Sequence, residues 1–399
     1  MDFEALAEKY KTPLFVYDFD YIAQRYNSFK NEFKARKSLI CYAVKANSNL
    51  SVLKYFASLG AGCDCVSIGE VKRALYAGVS KYKIIFSGVG KSDDDISEAL
   101  KEDILMINIE SAAELKRVEE IAKNLNMKSR ISIRVNPNVD PKTHPYISTG
   151  LKENKFGVDI DTAKRLYIYI KNSKFLEAVG IHCHIGSQIL DIKPYKEATK
   201  ITANLLKDLQ ALDINLKFFD IGGGLGITYK DEKEIVLYDF AQAVLDNLYA
   251  TDVTIVCEIG RYFVGNSGYL LTKVLYEKTN EGKRFVIVDA AMNDLIRPSL
   301  YGAYHEIETV KKDGKKTKAD VVGPICESSD FLGKNIELPS LNHGDLLVVK
   351  SAGAYSFSMS SNYNSRNKAA EVAIENGNDR LIRRRENFED LIALEKEYI

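Results

Sequence analysis

Residues 41–47 read CYAVKAN, and they join a predicted β-strand to a predicted α-helix. The apolar, β-branched and aromatic residues at 39–44 favour a strand, and the polar residues at 47–49 are typical of a helix start. Lys45 therefore ends the strand. A lysine partly withdrawn from water at such a position can act as a neutral amine and form a Schiff base with an aldehyde. An isolated lysine at a strand end is also a common surface residue, so this interpretation of Lys45 needs support from other residues.

The alternation of strand and helix continues along the chain. Strand-like runs occur at residues 39–44, 63–66, 83–86, 105–109, 130–135, 178–183, 216–220 and 253–257. Helical patterns occur before and between them, at residues 21–33, 68–77, 111–125, 162–170, 195–212 and 238–248. Eight strands with intervening helices predict a (β/α)8 barrel, although a doubly wound open sheet would show a similar alternation. One connection, at residues 136–156, is long and rich in proline, and loops of that length are often functional.

The pattern changes after Gly260. Short strand-like runs separated by turn-forming residues occur at 269–276, 284–289, 318–322 and 345–350. They predict a mostly β domain, to which a strand-like run at 14–17 would contribute a further strand. We therefore expect an α/β protein with a (β/α)8 barrel at residues 20–262 and a second, mostly β C-terminal domain at residues 263–399, completed by residues 1–19.

Composition argues against several classes of protein. The chain has 399 residues, of which 46% are hydrophobic, and its 55 basic residues balance 55 acidic ones. A net charge of zero creates no overall field toward nucleic acid or an anionic membrane, and no apolar run is long enough to span a bilayer. The N-terminus has no targeting pattern, and the six cysteines lack the spacing of a disulfide scaffold. We expect a cytoplasmic protein with no nucleic-acid partner and no membrane partner.

Two close pairs of potential metal ligands occur in the sequence. Cys63 and Cys65 would lie on one face of a strand, as would His182 and His184. No second cysteine pair or helical histidine pair completes a zinc set, so we predict no metal site.

The residues that suggest chemistry fall at or near the C-terminal ends of the predicted strands. They are Lys45, Asp64, His184, Glu258 and the three glycines at 222–224. In a barrel this rim carries the active site, and the loops after strands seven and eight commonly bind phosphate. Consecutive glycines let backbone N–H groups turn toward an anion, and an arginine at position 261 could add charge. A triple glycine alone can also be no more than a tight turn.

An amine for a Schiff base together with a phosphate site suggests pyridoxal 5'-phosphate. Glu258 could face the pyridine nitrogen and keep it protonated, so that the ring accepts the electron pair released when a bond to Cα breaks. His184 could cover a face of the ring, or it could be an ordinary hydrogen-bonded histidine at a strand end.

Five motifs carry a resemblance to a known family. They read YAVKAN at 42–47, HCHIGSQ at 182–188, DIGGG at 220–224, EIGR at 258–261 and GPICESSD at 323–330. In this order, and over nearly the whole chain, they resemble the motifs of the diaminopimelate decarboxylase family. The fourth motif usually reads EPGR in that family. Here Ile259 replaces the proline and leaves Glu258, Gly260 and Arg261 in place.

The resemblance implies a role for each matching residue at the cofactor. Lys45 would carry pyridoxal 5'-phosphate as the internal aldimine, His184 would stack on its ring, and Glu258 would pair with the ring nitrogen. Residues of three loops would bind the phosphate: Ser187, Gly222, Gly223, Gly224, Gly260 and Arg261. Asp64 would lie near the cofactor, and Tyr355 would contact both cofactor and substrate.

The resemblance also implies a shared active site. Cys326 would donate a proton to Cα, and Glu327 would contact the substrate. In the family both residues reach into the site of the partner subunit, so the active enzyme is expected to be a homodimer.

The substrate is suggested by residues far along the chain. Arg297 and Tyr301, together with Arg261, could hold a distal carboxylate by charge-assisted hydrogen bonds, and Glu327 could hold a distal ammonium group. A tail with both groups is that of meso-2,6-diaminopimelate. The predicted reaction is therefore its decarboxylation to L-lysine, the last step of lysine biosynthesis. Without the resemblance, Arg297 would be interpreted as part of a surface salt bridge.

Three alternatives remain. A decarboxylase acting on carboxynorspermidine or ornithine would keep Lys45 and Glu258. An alanine racemase of related fold places an arginine at the ring nitrogen, so Glu258 favours a decarboxylase. A cofactor-binding protein without enzymatic activity would lack the set formed by Cys326 and Arg297.

Overall fold

The computed structural model describes residues 1–141, 155–311 and 313–399, so most of the predicted loop at 136–156 lies outside the described residues. The chain divides into two compact units. The barrel unit comprises Arg25–Ile227 and Lys233–Tyr262. The β unit comprises Met1–Gln24, Thr228–Glu232 and Phe263–Ile399.

The chain opens with a helix, a strand and a second helix: α1 (Phe3–Tyr10), β1 (Leu14–Asp18) and α2 (Phe19–Glu32). Asp2 caps the N-terminus of α1, because its side chain accepts a hydrogen bond from the backbone N–H of Ala5. α2 begins in a similar way, with the side chain of Asp18 accepting from the N–H of Tyr21.

Eight parallel strands of the barrel unit close into a barrel in sequence order. They are β2 (Ser38–Ala43), β3 (Gly62–Cys65), β4 (Ile84–Phe86), β5 (Met106–Ile109), β6 (Ser129–Arg134), β7 (Leu176–His182), β8 (Phe218–Asp220) and β9 (Thr254–Ile259). The last strand, β9, pairs with the first, β2, in parallel. This closure confirms the predicted (β/α)8 barrel and excludes the open doubly wound sheet.

Helices connect successive barrel strands. They are α3 (Leu50–Ser58), α4 (Ile68–Tyr76), α5 (Asp93–Lys101), α6 (Ala112–Asn124), α7 (Ile160–Lys171), α8 (Ile192–Ala211) and α9 (Leu237–Leu248). A polar side chain caps the N-terminus of each of the first six by accepting a backbone N–H: Asn49, Ser67, Ser92, Ser111, Asp159 and Asp191. α5 was not among the predicted helices, although the capping box of Ser92 and Asp95 is a sequence signal for its start.

The β unit follows a short helix, α10 (Arg261–Val264). Its strands are β10 (Gly268–Asn280), β11 (Lys283–Val288), β12 (Ile307–Thr309), β13 (Thr317–Val322), β14 (Phe331–Leu338), β15 (Leu346–Val349), β16 (Ala370–Glu375) and β17 (Asn378–Arg383). Two short helices, α11 (Arg297–Tyr301) and α12 (Phe388–Ile392), complete the unit.

The N-terminal strand lies inside the sheet of the β unit. β1 pairs antiparallel with β10 and parallel with β16. Its residues Leu14 to Tyr17 are buried, since neighbours cover the strand on both edges and both faces. The prediction that the N-terminal strand completes a mostly β domain is thus confirmed. Within the described ranges, no helix is both long enough and apolar enough to cross a membrane.

Candidate active site

A cavity of about 450 Å³ lies at the C-terminal ends of the barrel strands. Four of the predicted cofactor residues line it: Lys45, Asp64, His184 and Glu258. They come from different strands and meet because parallel strands direct all their following loops to one end of the barrel.

Lys45 lies in a single 3-10 turn, Val44–Ala46, directly after β2. Its Nζ is 3.1 Å from Oδ2 of Asp64, a buried residue of β3. Burial, helped by the nearby charge of Glu258, raises the pKa of Asp64 although Lys45 opposes the shift. Lys45 therefore lies beside a carboxyl group whose charged form is disfavoured by burial.

The cavity has a second lysine with a different environment. Lys91 is buried, and its Nζ donates to the carbonyl oxygens of Gly88 and Asn108 and to Oε1 of Glu114, each at 2.7 Å. Three short hydrogen bonds hold Lys91 in place, so we assign it a structural role in the wall of the cavity.

The strand register brings two further polar residues to the interior beside Glu258. His182 of β7 pairs with Asp220 of β8, which pairs with Val256 of β9. Glu258 is two residues beyond Val256 and so faces the same side. Nε2 of His182 is 3.1 Å from Oε2 of Glu258, and one donor atom from each of His182, Asp220 and Glu258 lies within 4.8 Å of the others.

Asp220 and Glu258 hold different charges. Burial, and next the charge of Glu258, raises the pKa of Asp220 well above its ordinary value. Burial also opposes ionisation of Glu258, but His182, Lys45 and a hydrogen bond with Asp220 outweigh it and lower the pKa of Glu258 to about 2. Two adjacent buried carboxyl groups cannot both ionise. Burial and the charge of Glu258 thus favour the protonated form of Asp220, which can donate a hydrogen bond to the Glu258 carboxylate.

By distance alone, the His182, Asp220 and Glu258 set could also hold a metal ion. Nε2 of His182 contacts Oε2 of Glu258, however, and Oδ1 of Asp220 accepts a hydrogen bond from the N–H of Gly222 at 2.8 Å, so each residue already has one of these atoms in a contact within the protein.

His184 is a neutral ring with a defined tautomer. Its Nδ1 accepts a hydrogen bond from the N–H of Gly223 at 3.0 Å, so the ring proton lies on Nε2. Burial, followed by the charge of Arg134, lowers the pKa of His184 well below its ordinary value. An uncharged, fixed imidazole is suited to lie against a flat aromatic ligand.

The three glycines at 222–224 allow backbones to approach closely. A Cβ at position 223 would lie 2.0 Å from the carbonyl oxygen of Glu258, and one at position 224 would lie 2.1 Å from that of Gly186. The loops after β7, β8 and β9 could not pack together with larger residues at these positions. The packing of these segments therefore requires glycine at 223 and 224, in addition to the predicted role of the loop in binding an anion.

A hydrogen bond between side chains joins the segments that follow β7 and β9. Nη2 of Arg261, the first residue of α10, donates to Oγ of Ser187 at 3.0 Å. Behind it, a Cβ on Gly260 would be 3.1 Å from the Cβ atoms of Ala43 and Ala46. The structure therefore brings Ser187, Arg261 and the glycine loop to the cavity end of the barrel.

The remaining predicted residues belong to the β unit. Cys326 is exposed, and its N–H donates to Oδ1 of Asn364 at 3.0 Å. Oε1 of Glu327 accepts from the Ser329 hydroxyl at 2.7 Å. The backbone of Tyr355 adopts the left-handed helical conformation, with φ of 56°.

Arg297 and Tyr301 are the first and last residues of α11. Arg297 is buried, with the guanidinium carbon 5.9 Å from the ring centre of Tyr301. The alternative of a surface salt bridge is therefore wrong for Arg297, because the side chain is withdrawn from the surface.

Sequence reasoning missed several residues of the cavity. His182 and Asp220 are each part of a quoted motif, yet their contact with Glu258 depends on strand register. Arg134 also lines the cavity, where its Nη1 donates to Oε1 of the buried Glu110 at 2.9 Å. Strand periodicity, which places every second residue on the inner face, is the signal that could have indicated all three.

The chain is similar in sequence to a known domain family and to known enzymes. Residues 19–265 match the pyridoxal-binding domain of pyridoxal-dependent decarboxylases. The diaminopimelate decarboxylase of Campylobacter jejuni is 60% identical over 400 residues, covering 100% of both chains. That of Helicobacter pylori strain J99 is 56% identical, covering 99% of this chain and 98% of the relative.

A solved structure shows the same similarity in three dimensions. The crystal structure of diaminopimelate decarboxylase from Helicobacter pylori, complexed with L-lysine, superposes with a TM-score of 0.97. It is 55% identical in sequence and covers 100% of both chains.

The neutral state of Asp220 predicts how stability depends on pH. As pH rises above the ordinary aspartate pKa of 3.8, the unfolded chain loses this proton while the folded chain keeps it. Wild-type protein then loses about 1.4 kcal/mol of stability per pH unit at this site. Asp220→Asn keeps an oxygen for Gly222 and an N–H for Glu258 but has no such proton. Its stability relative to wild type should therefore increase as the pH rises above about 5.

Urea unfolding of the cofactor-free proteins measures this difference. Asp252→Asn is the matched control, because a hydrogen bond with Lys37 lowers the pKa of that exposed carboxyl and its titration ends below the tested range. Its difference from wild type should stay constant with pH. A constant difference for Asp220→Asn as well would mean that Asp220 is ionised in the folded protein.

Proposed function

This chain belongs to the diaminopimelate decarboxylase family, and we propose that it removes one carboxyl group from meso-2,6-diaminopimelate to give L-lysine and CO₂, with pyridoxal 5'-phosphate as cofactor. The observation that carries the proposal is the convergence of the Lys45 amine and the ionised Glu258 carboxylate on one cavity. The cofactor, when bound, accepts the electron pair released as CO₂ leaves.

The cavity fits this cofactor by the chemistry of its side chains. Lys45 supplies the amine that attaches the aldehyde, with Asp64 as its hydrogen-bond partner. Glu258 would face the pyridine nitrogen and favour its protonated form, and His184 would lie against the ring. Backbone N–H groups of the glycine loop and the side chains beside it bind the phosphate: Ser187, Gly222, Gly223, Gly224, Gly260 and Arg261.

The neighbours of Glu258 maintain its charge. His182 and Lys45 stabilise its negative charge, and Nε2 of His182 lies 3.1 Å from its Oε2. A fixed carboxylate holds the proton on the pyridine nitrogen, which makes the ring a better electron acceptor. An arginine there would limit this effect, so Glu258 supports decarboxylation rather than racemisation.

Four residues are assigned to the distal end of the substrate. We assign Arg261, Arg297 and Tyr301 to the distal carboxylate, and Glu327 to the distal ammonium group. Tyr355 contacts cofactor and substrate. The burial of Arg297 supports its assignment, because a charge-assisted hydrogen bond to a carboxylate is stronger where water is excluded.

Cys326 donates the proton that replaces CO₂ at Cα, and it acts in the site of a partner subunit. The exposure of its thiol supports this role, since Cys41, Cys63, Cys65, Cys183 and Cys257 are all buried. The enzyme is then a homodimer in which Cys326 and Glu327 complete the partner's site. The free thiols of these cysteines also support a cytoplasmic location, where thiols stay reduced.

Attachment of the cofactor to Lys45 can be tested by spectroscopy. Lys45→Ala should lose the visible absorption of the lysine-bound cofactor and reduce activity to background, because no amine replaces Nζ. Borohydride reduction followed by peptide mass analysis should label the Lys45 peptide of the wild type. Lys54→Ala changes an exposed lysine of α3 and should retain both properties. Unchanged absorption in Lys45→Ala would disprove the attachment.

The substrate can be tested by product analysis of the holoenzyme. Meso-diaminopimelate should yield equal amounts of CO₂ and L-lysine. We expect kcat/KM for ornithine and carboxynorspermidine to be lower by about 10⁴-fold, because a site built for a polar group rejects a ligand that leaves it unpaired. Comparable turnover of either compound would contradict the substrate assignment. Racemisation without CO₂ would identify a racemase.

The shared site can be tested by mixing inactive variants. In refolded mixtures of Lys45→Ala and Cys326→Ala, about half of the dimers are hybrids, and one of their two sites has both residues. About a quarter of wild-type activity should return. Lys45→Ala mixed with Glu258→Gln is the control, because both defects lie on the barrel side and every site stays damaged. Persistent inactivity of the first mixture would contradict the shared site.

A further inference from the structure

Arg297 is held by a buried histidine that none of the assigned roles includes. Its Nε is 3.3 Å from Nε2 of His305, and both residues are buried. Nδ1 of the same histidine is 3.0 Å from the carbonyl oxygen of Lys350. His305 therefore bridges the start of α11 and the end of β15.

The two partners of His305 require the same tautomer. A carbonyl oxygen can only accept, so Nδ1 carries the proton toward Lys350. The Nε–H of Arg297 can only donate, so Nε2 must present its lone pair. Both contacts are satisfied only by the neutral ring with its proton on Nδ1. A ring with a proton on Nε2 would direct N–H against N–H.

Strand pairing fixes the position of this ring. β12 pairs antiparallel with β15, with Ile307 opposite Val349. The backbone N–H of Lys350 donates to the carbonyl oxygen of Glu306 at 2.9 Å. These bonds hold the residue before Glu306, which is His305, beside the Lys350 carbonyl. The histidine is thus anchored to the sheet independently of Arg297.

An aromatic ring completes the support of the guanidinium. Tyr229 lies 5.2 Å from the guanidinium carbon of Arg297, and its ring packs edge-on against His305 with centres 5.4 Å apart. The hydrogen bond to His305 therefore fixes the orientation of the Arg297 guanidinium, and the Tyr229 ring limits its sideways movement. The contact with His305 uses Nε, so the end of the guanidinium that carries Nη1 and Nη2 is not needed for it.

We propose that His305 is a positioning residue for substrate selection, which holds Arg297 so that Nη1 and Nη2 face the distal carboxylate of the substrate. This inference rests on the proposed function, because it takes Arg297 as the partner of that carboxylate. A bidentate guanidinium pair is strong only when its plane is aligned, and His305 supplies the alignment before the substrate arrives.

Two variants of nearly equal shape separate the hydrogen bond from packing. Met and Gln have unbranched side chains of equal length, but only Gln retains an acceptor for Arg297 and a donor for Lys350. His305→Met should raise KM for meso-diaminopimelate about tenfold, the effect of one hydrogen bond to a charged group, and change kcat less than about twofold. His305→Gln should stay within about threefold of wild type in both constants.

Two inhibitors report on the carboxylate itself. L-lysine retains the distal carboxylate of the substrate, and cadaverine is the same molecule without it. His305→Met should weaken inhibition by L-lysine about tenfold and leave inhibition by cadaverine nearly unchanged. Equal weakening of both inhibitors, or no weakening of L-lysine, would overturn the inference. So would failure of His305→Gln to restore L-lysine inhibition.

Arg297→Met in the same assays separates this inference from the proposed function. If that variant still distinguishes L-lysine from cadaverine as the wild type does, the assignment of Arg297 to the distal carboxylate is wrong. If it loses the distinction while His305→Met keeps it, Arg297 binds the carboxylate and only the role of His305 is wrong.

A spectroscopic measurement applies even if His305→Met does not fold. In the holoenzyme labelled with ¹⁵N-histidine, one neutral ring protonated on Nδ1 should disappear in His305→Gln. Assignment of the opposite tautomer, or of a charged ring, to His305 would overturn the inference.

Discussion

Closure of the parallel barrel is the constraint on which the chemistry of the barrel unit depends. Pairing of β9 with β2 places Glu258 opposite Cys41, and pairing of β2 with β3 places Asp64 opposite Ala43. Lys45 follows two residues later in the turn after β2. Because the strands run in one direction and the sheet has no edge, residues from the first and last strands become neighbours. If β9 were shifted by one residue against its neighbours, the Glu258 side chain would point to the other face of the sheet.

Burial then converts proximity into defined charge states. Asp220 and Glu258 are chemically similar groups in one interior, yet the pKa of Asp220 is raised and that of Glu258 is lowered. The difference arises because His182 and Lys45 stabilise the negative charge on Glu258, and two charges in so small a volume would repel strongly. His184, in the same cavity, is kept neutral. The arrangement supplies an anion, an uncharged ring and an amine within one cavity.

Much of this organisation could be predicted from the sequence because it depends on local patterns. Eight strand-like runs indicated the barrel, and Lys45 and Glu258 stood at strand ends where an active site is expected. The helix α5 was missed because its apolar pattern is short and strongly charged residues interrupt it, although Ser92 marks its start. The strand β16, which lies beside β1, was also not recognised. Its pairing involves residues at opposite ends of the chain.

The sequence by itself determined the order of the motifs, the number of barrel strands and the identity of the residues that could bear chemistry. Only the tertiary structure decided the state of those residues. The neutral Asp220, the ionised Glu258 and the histidine that orients Arg297 follow from burial and from distances between separate strands and loops. The physical reason is that a pKa or a hydrogen-bond direction depends on the neighbours in space, and the periodicity of one strand gives its inner face but not its register with the next strand.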